Sequence, residues 1–279
     1  MKLATLRVDG STRAVRLDGD RLVDLGATDL GEFLSREGWA EKAAAGSDTT
    51  YPVEGADFAP VVTAPSKVVC VGLNYKNHIQ EMGRDLPQYP TLFAKFADCL
   101  LGATDDIARP EETSEFDWEV ELAVVIGKPV RRATGAEAEA AIAGFTVLND
   151  ITCRDWQFRT REWLQGKMWD SSTPVGPYLV TPDELPGGVR PELEVTLSVD
   201  GETMQRDNTG DLLFDPVALV EYVSTIVRLH PGDIIATGTP GGVGHARDPK
   251  RYLTGGERVV TEIQGIGRLE NTVVKDGAA

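Results

Sequence analysis

The chain has 279 residues, and 44 Asp plus Glu against 28 Lys plus Arg give it a formal charge of -16 at pH 7. So acidic a chain is a poor partner for nucleic acid or an anionic membrane surface, and no apolar run approaches the roughly 18 residues of a membrane-spanning helix. Apolar residues at 41% and charged residues at 26% are enough for a sizeable core and argue against disorder.

Residues 1–60 read as a small α+β domain. Two short strand-like runs, LATLRV and AVRLDGDRLVDL, precede a segment in which Leu30, Phe33, Leu34 and Trp39 have helical spacing. The polar stretch AAAGSDTTYPVEG reads as a linker. Residues 61–279 form the second domain, dominated by short β-like runs punctuated by Gly, Pro and Asp. These include KVVCVGL, VELAVVIG, IAGFTVLND, LEVTLSVDG and RVVTEIQGIG. Helices are expected after Asn77, across GAEAEAAIA, and across DPVALVEYVSTIVRL, where Pro216 suits a first helical turn. The opening MKLATLRVDG lacks the apolar stretch and cleavage site of a secretory leader, so a cytoplasmic location is expected.

The three cysteines, Cys70, Cys99 and Cys153, form no CxxC pair, and only His78, His230 and His245 supply imidazoles. A metal held here must therefore rely on carboxylates. In EFDWEVELAVVI, period-2 reading sets Asp117, Glu119 and Glu121 on one face and Trp118, Val120 and Leu122 on the other. A bare E-x-E also occurs on solvated strand faces, but the continuation AVVIG is apolar on both sides and points to burial. Buried neighbouring carboxylates must take up protons or a cation. Asp150 ends the next apolar run, where a plain Asn-Asp turn is the competing reading. Together, Glu119, Glu121 and Asp150 suit a hard ion such as Mg²⁺ or Mn²⁺. His78 and Glu81, three residues apart, share a helical face and offer a general-base pair, although surface helices also show this spacing. Lys95, Arg154, Gln157, Lys167 and Thr239 stand in otherwise loop-like stretches. The glycine-rich IIATGTPGGVG matches neither common nucleotide-binding motif.

From about Lys67 to Val274 the chain resembles the fumarylacetoacetate hydrolase family. The carrying motifs are VGLNYKNHIQEMG, LFAKF, DWEVELAVVIGK, GFTVLNDITCRDWQ, GKMWDSSTPVGP, LHPGDIIATGTPGGVG and GIGRLENTV, in that order. The resemblance implies a mixed, β-rich α+β fold with the family's roll-like core, a homodimer, and one Mg²⁺ or Mn²⁺ per subunit. By motif, Glu119, Glu121 and Asp150 are the implied metal ligands, His78 and Glu81 activate water, and Lys167 stabilises developing charge. Gln157, Thr239, Lys95 and Arg154 are expected at the substrate. Phe96, Met168 and Trp169 depart from common family residues, which bears on pocket shape. The implied activity is hydrolysis of a C–C bond in a 2,4-dioxo acid, of acylpyruvate or fumarylpyruvate type. Oxaloacetate decarboxylation or 2-hydroxyhepta-2,4-diene-1,7-dioate isomerisation at the same site is the alternative, and a non-catalytic metal-binding protein the remote one.

Overall fold

In the computed structural model, residues 1–81, 83 and 85–275 are described, with only the backbone of Glu81. Two sheets dominate. The larger, of eleven strands, runs Thr50–Pro52, Arg21–Asp24, Ser11–Asp18, Lys2–Val8, Thr173–Val180, Ile142–Asn149, Val120–Ile126, Ile234–Ala236, Val68–Gly72 and Thr91–Lys95, with Leu100–Leu101 beside Thr173–Val180. The second orders Glu202–Asn208, Glu194–Val199, Arg258–Ile263, Gly267–Lys275 and Ile107–Arg109. The expected β-rich α+β architecture is thus present. Among the described residues no helix is long and apolar enough to cross a membrane.

The strand Val120–Ile126 is central and buried along its whole length. Its side chains alternate between two cores. Val120, Leu122, Val124 and Ile126 join Val195, Leu197, Val259 and Leu269 between the two sheets. Ala123 and Val125 join Leu3, Leu30, Leu34, Val61 and Val62 on the other face. Each large apolar side chain contributes about 1.5–3 kcal/mol on burial, less than an isolated buried carboxylate costs. Glu121, 1% exposed on this strand, therefore requires compensation.

The sequence pattern predicts one continuous strand from Glu115, but Phe116–Asp117 is separate from Val120–Ile126. The backbone N–H groups between them turn to side chains. Trp118 donates to Asp117 Oδ1, Glu119 to Asn149 Oδ1 and Val120 to Gln205 Oε1, at 2.9, 3.0 and 2.9 Å. Every donor is satisfied by a side chain instead of a strand backbone carbonyl. This break gives Glu119 its position beside Asp150.

The expected helix across DPVALVEYVSTIVRL is Pro216–Ile226, with Asp215 accepting from Ala218 N at 2.9 Å and Pro216 in the first turn. The N-terminal helical segment is two helices, Leu30–Leu34 and Trp39–Ala45, because Gly38 takes a left-handed conformation between them, φ 65°. Their buried faces cover the larger sheet.

Candidate active site

Glu119, Glu121 and Asp150 bring carboxylate oxygens within 4.8 Å of one another, and all three side chains are buried. Two adjacent central strands place them: Glu121 lies within Val120–Ile126, while Asp150 follows the end of Ile142–Asn149. Three cations answer the charge. Lys167 Nζ lies 2.8 Å from Glu119 Oε2 and 2.7 Å from Asp150 Oδ2. Lys95 Nζ lies 2.9 Å from Asp150 Oδ1, and Arg154 Nη2 lies 2.6 Å from Glu119 Oε1. Arg154 Nε also meets Asp117 Oδ2 at 2.8 Å, while its Nη1 donates to Gln157 Oε1 at 3.0 Å.

Glu121 has no ion pair among the described residues; Gly238 N donates to its Oε2 at 2.8 Å. Burial first, then Asp150 and Glu119, push its carboxyl well above the usual range. Burial also opposes ionisation of Asp150, but Lys167 and Lys95 outweigh it and hold the carboxyl below its ordinary value. For Lys167 burial works against the charge, yet Asp150 and Glu119 prevail and keep the ammonium above its ordinary value. With Asp117, four carboxylates face three cations, leaving one negative charge in excess. A proton on Glu121 removes that excess. A divalent cation turns it into one positive charge, suited to an anionic substrate. The all-oxygen donor set fits a hard ion.

A cavity of about 240 Å³ opens onto the cluster. Glu119, Glu121, Arg154 and Lys167 line its charged end, joined by Gln157, Thr239 and His78. His78 arrives on the helix Lys76–Glu81, which follows the strand Val68–Gly72. The side chain of its expected partner, Glu81, lies outside the described residues. Lys95 is not among the lining residues. Its Nζ is enclosed behind Asp150, donating to Ile151 O at 3.0 Å and Thr173 Oγ1 at 2.8 Å, so the expected substrate contact is replaced by support of a carboxylate.

Phe93 and Trp163 form an aromatic wall, their ring centroids 5.7 Å apart, and Lys167 Nζ lies 4.8 Å from the Phe93 ring centre. Gly72 permits this packing: a Cβ there would meet Trp163 Cζ3 at 2.3 Å. Gly238, at φ 101°, brings its N–H to Glu121 where a side chain would strike Asn74 Cβ and Val71 O.

Three further residues contribute, and of these Gln205 and His245 have no distinguishing spacing in the sequence. Gln205 donates to Thr239 Oγ1 at 2.8 Å and Pro240 O at 2.9 Å, tying the TGTP turn to Val120. Asp117 accepts from the backbone N–H of Gly244 at 2.7 Å and His245 at 3.0 Å. His245 itself lines the cavity, its ring 5.2 Å from that of Phe158. Burial, then Lys250 and Arg154, hold its imidazole below the ordinary value. Trp169 packs edge-on against Trp156, centroids 5.0 Å apart, and is not among the lining residues.

Comparison with known proteins agrees with this architecture. Rattus norvegicus mitochondrial oxaloacetate tautomerase is 42% identical over 236 residues, spanning 84% of this chain and 75% of that protein. The crystal structure of 5-carboxymethyl-2-hydroxymuconate delta-isomerase from Mycobacterium smegmatis matches with TM-score 0.81 and 31% identity, over 99% of this chain and 100% of that one. Fumarylacetoacetate hydrolase from Exiguobacterium antarcticum matches with TM-score 0.88 and 32% identity, over 99% of each chain. The fumarylacetoacetate hydrolase C-terminal family profile covers residues 67–274, and the chain belongs to that family.

Proposed function

We propose that this chain is a Mg²⁺- or Mn²⁺-dependent enzyme that interconverts keto and enol forms, or shifts the double bond, of small 2-oxo dicarboxylates, with oxaloacetate the first substrate to test. The observation that carries the reading is the buried Glu119, Glu121 and Asp150 set, of which Glu119 and Glu121 line the charged end of one small cavity. The name of the Mycobacterium smegmatis isomerase supports the isomerisation alternative over the C–C hydrolysis expected from sequence, and the name of the rat tautomerase replaces decarboxylation by keto–enol interconversion as the oxaloacetate reaction proposed.

Glu119, Glu121 and Asp150 would hold the divalent ion, which would supply Lewis-acid polarisation of the 2-oxo group. The chain's own residues do the rest. Lys167, fixed by Glu119 and Asp150, presents positive charge where the substrate oxygen becomes negative. Gln157, its oxygen taken by Arg154, has its amide N–H₂ left to donate to a carboxylate. Thr239 is held by Gln205, which fixes its hydroxyl at the cavity wall. Phe93 and Trp163 exclude water from one side.

Hydrolysis of 2,4-dioxo acids is the second reading. His78 on the cavity wall favours it, as a base that activates water, and so does the similarity to the Exiguobacterium antarcticum hydrolase. The proposed assembly is a homodimer, supported by the exposed apolar side chains of Phe96 and Met168 next to Lys95 and Lys167. Sedimentation velocity checks it, with a species at twice the chain mass expected.

The deciding experiment follows the enol absorbance of oxaloacetate, pyruvate release from acetylpyruvate and fumarylpyruvate, and isomerisation of 2-hydroxyhepta-2,4-diene-1,7-dioate, each with Mg²⁺ and with EDTA. Mg²⁺-dependent acceleration of the oxaloacetate or dienedioate reaction is expected. Pyruvate release from the dioxo acids alone would move the assignment to the hydrolase, and no acceleration of any reaction would overturn both.

A further inference from the structure

His245 sits on a short turn after the TGTP segment. Its backbone N–H is fixed by Asp117, which is also held by Arg154, and Arg154 pairs with Glu119. Three contacts therefore tie this histidine to the carboxylate cluster. Its Nδ1 lies 2.9 Å from the Tyr252 hydroxyl and 3.8 Å from Glu115 Oε2. Glu115 also acts on Tyr252: burial, then Glu115, hold its phenol above the ordinary value. The hydroxyl has one proton, and the carboxylate of Glu115 is a stronger acceptor than a neutral imidazole. The order that satisfies all three groups is Tyr252 donating to Glu115 while accepting from Nδ1–H of His245. Nε2 then carries a lone pair, and it is the ring nitrogen left for the cavity that His245 lines. Burial, then Lys250 and Arg154, favour the neutral, accepting form of the ring against the opposing pull of Glu115 and Asp117. A carboxylate-anchored imidazole with one open nitrogen is the arrangement of a general base.

We propose that His245 is a second acid–base residue of this site, with Nε2 moving the proton on the carbon adjacent to the 2-oxo group. The proposal rests on the keto–enol reading and names the group that carries out its proton transfer. In the keto-to-enol direction Nε2 takes the C3 proton and the C3–H pair becomes the C2=C3 bond. The C2=O pair moves to oxygen, which is protonated by water, and the imidazolium returns its proton to the hydroxide left behind. Tyr252 and Glu115 are positioning residues that set the tautomer.

The test measures deuterium entry at C3 of oxaloacetate in D₂O with Mg²⁺ by proton NMR, above the protein-free background, for the wild type, His245→Gln and Tyr252→Phe. General acid–base groups contribute about 10²–10⁴-fold, so His245→Gln is expected to lower kcat for exchange at least about 100-fold with KM little changed. Tyr252→Phe is expected to lower it less. Nitrogen-15 NMR of the wild-type imidazoles, with His245 assigned by its loss in His245→Gln, is expected to show the Nδ1–H tautomer, and Tyr252→Phe to shift it toward Nε2–H. A His245→Gln protein that exchanges at the wild-type rate, or a wild-type His245 in the Nε2–H tautomer, would overturn the proposal. Wild-type protein that produces no exchange overturns the keto–enol reading itself, before any variant is compared.

Discussion

Lys167 pairs with Glu119 Oε2 and Asp150 Oδ2, two carboxylates of the set that would hold a divalent ion. Removing one partner of a buried ion pair costs about 3–5 kcal/mol because the remaining charges lose their compensation. Lys167→Met is therefore expected to lower stability by about 3 kcal/mol in EDTA and to regain part of it in Mg²⁺, since the ion replaces the ammonium. Urea unfolding with and without Mg²⁺ measures both. Glu121 gives a second expectation. Burial, Asp150 and Glu119 hold its carboxyl protonated above the usual pH range, so an ion that binds there displaces a proton. Apparent metal affinity should fall as pH falls, and calorimetry in buffers of different ionisation enthalpy should register proton release. A pH-independent affinity would remove Glu121 from the ligand set. Glu119, Glu121 and Asp150 are legible because each carries its chemistry in its residue type and neighbouring motif. Gln205 is not, because its role is contacts with Val120 and Thr239 that no local spacing encodes; spacing places Asp117 on the carboxylate face but does not encode its contact with Gly244.

At the scale of elements, the site depends on how the central strand begins. Gln205, on Glu202–Asn208 of the smaller sheet, spans the gap to Val120 N, Thr239 Oγ1 and Pro240 O, so it joins the two sheets beside the cavity. Gln205→Leu leaves those buried groups unpaired. The cost is about 1–3 kcal/mol for such a group, and kcat should fall more than stability because Thr239 loses its orientation. Thermal melts and kinetics on the same sample separate the two effects. The helix Leu30–Leu34 offers a pH test. Asp29 caps it, accepting from Glu32 N at 2.8 Å, and also holds Thr63 N at 2.9 Å and its hydroxyl at 2.6 Å. Asp29→Ala should therefore exceed the roughly 1 kcal/mol of an ordinary cap. Glu32 accepts from Thr28 N and Oγ1 and pairs with Arg36, and these contacts lower its carboxyl to about 2 from 4.5. Its folded value lies below its unfolded one, so the stabilisation is complete above about 4.5 and disappears as pH falls through about 2. The stability difference between wild type and Glu32→Gln should close across that window. Strand and helix types are legible from periodicity, whereas the break at Trp118 and Glu119 is not, because the side chains of Asp117 and Asn149 take those backbone donors and no periodicity records that.

For the whole molecule, the N-terminal segment is continuous with the sheet that carries the site. Lys2–Val8 pairs with Thr173–Val180, which pairs with Ile142–Asn149, the strand leading to Asp150. Leu3, Leu30, Leu34, Val61 and Val62 share one core with Ala123, Val125 and Leu148 from the central hairpin. Composition and the polar stretch before residue 60 suggest a separate unit, but composition does not register that a strand on one side of a linker completes a sheet on the other. The physical consequence is specific. Without residues 1–58, the Leu179–Val180 end of Thr173–Val180 becomes an exposed edge and the apolar face of the central hairpin loses part of its cover, a combination that favours aggregation. A chain beginning at residue 59 is therefore expected to lose its cooperative unfolding transition and its Mg²⁺ binding together. Arg7→Ala removes a partly exposed pair with Asp57 and Asp105 and should cost at most about 1 kcal/mol. Differential scanning calorimetry on both variants makes the comparison. A truncated chain that melts in one sharp transition and still binds Mg²⁺ would establish the first 58 residues as an independent appendage, with the carboxylate cluster supported by the remaining sheet alone.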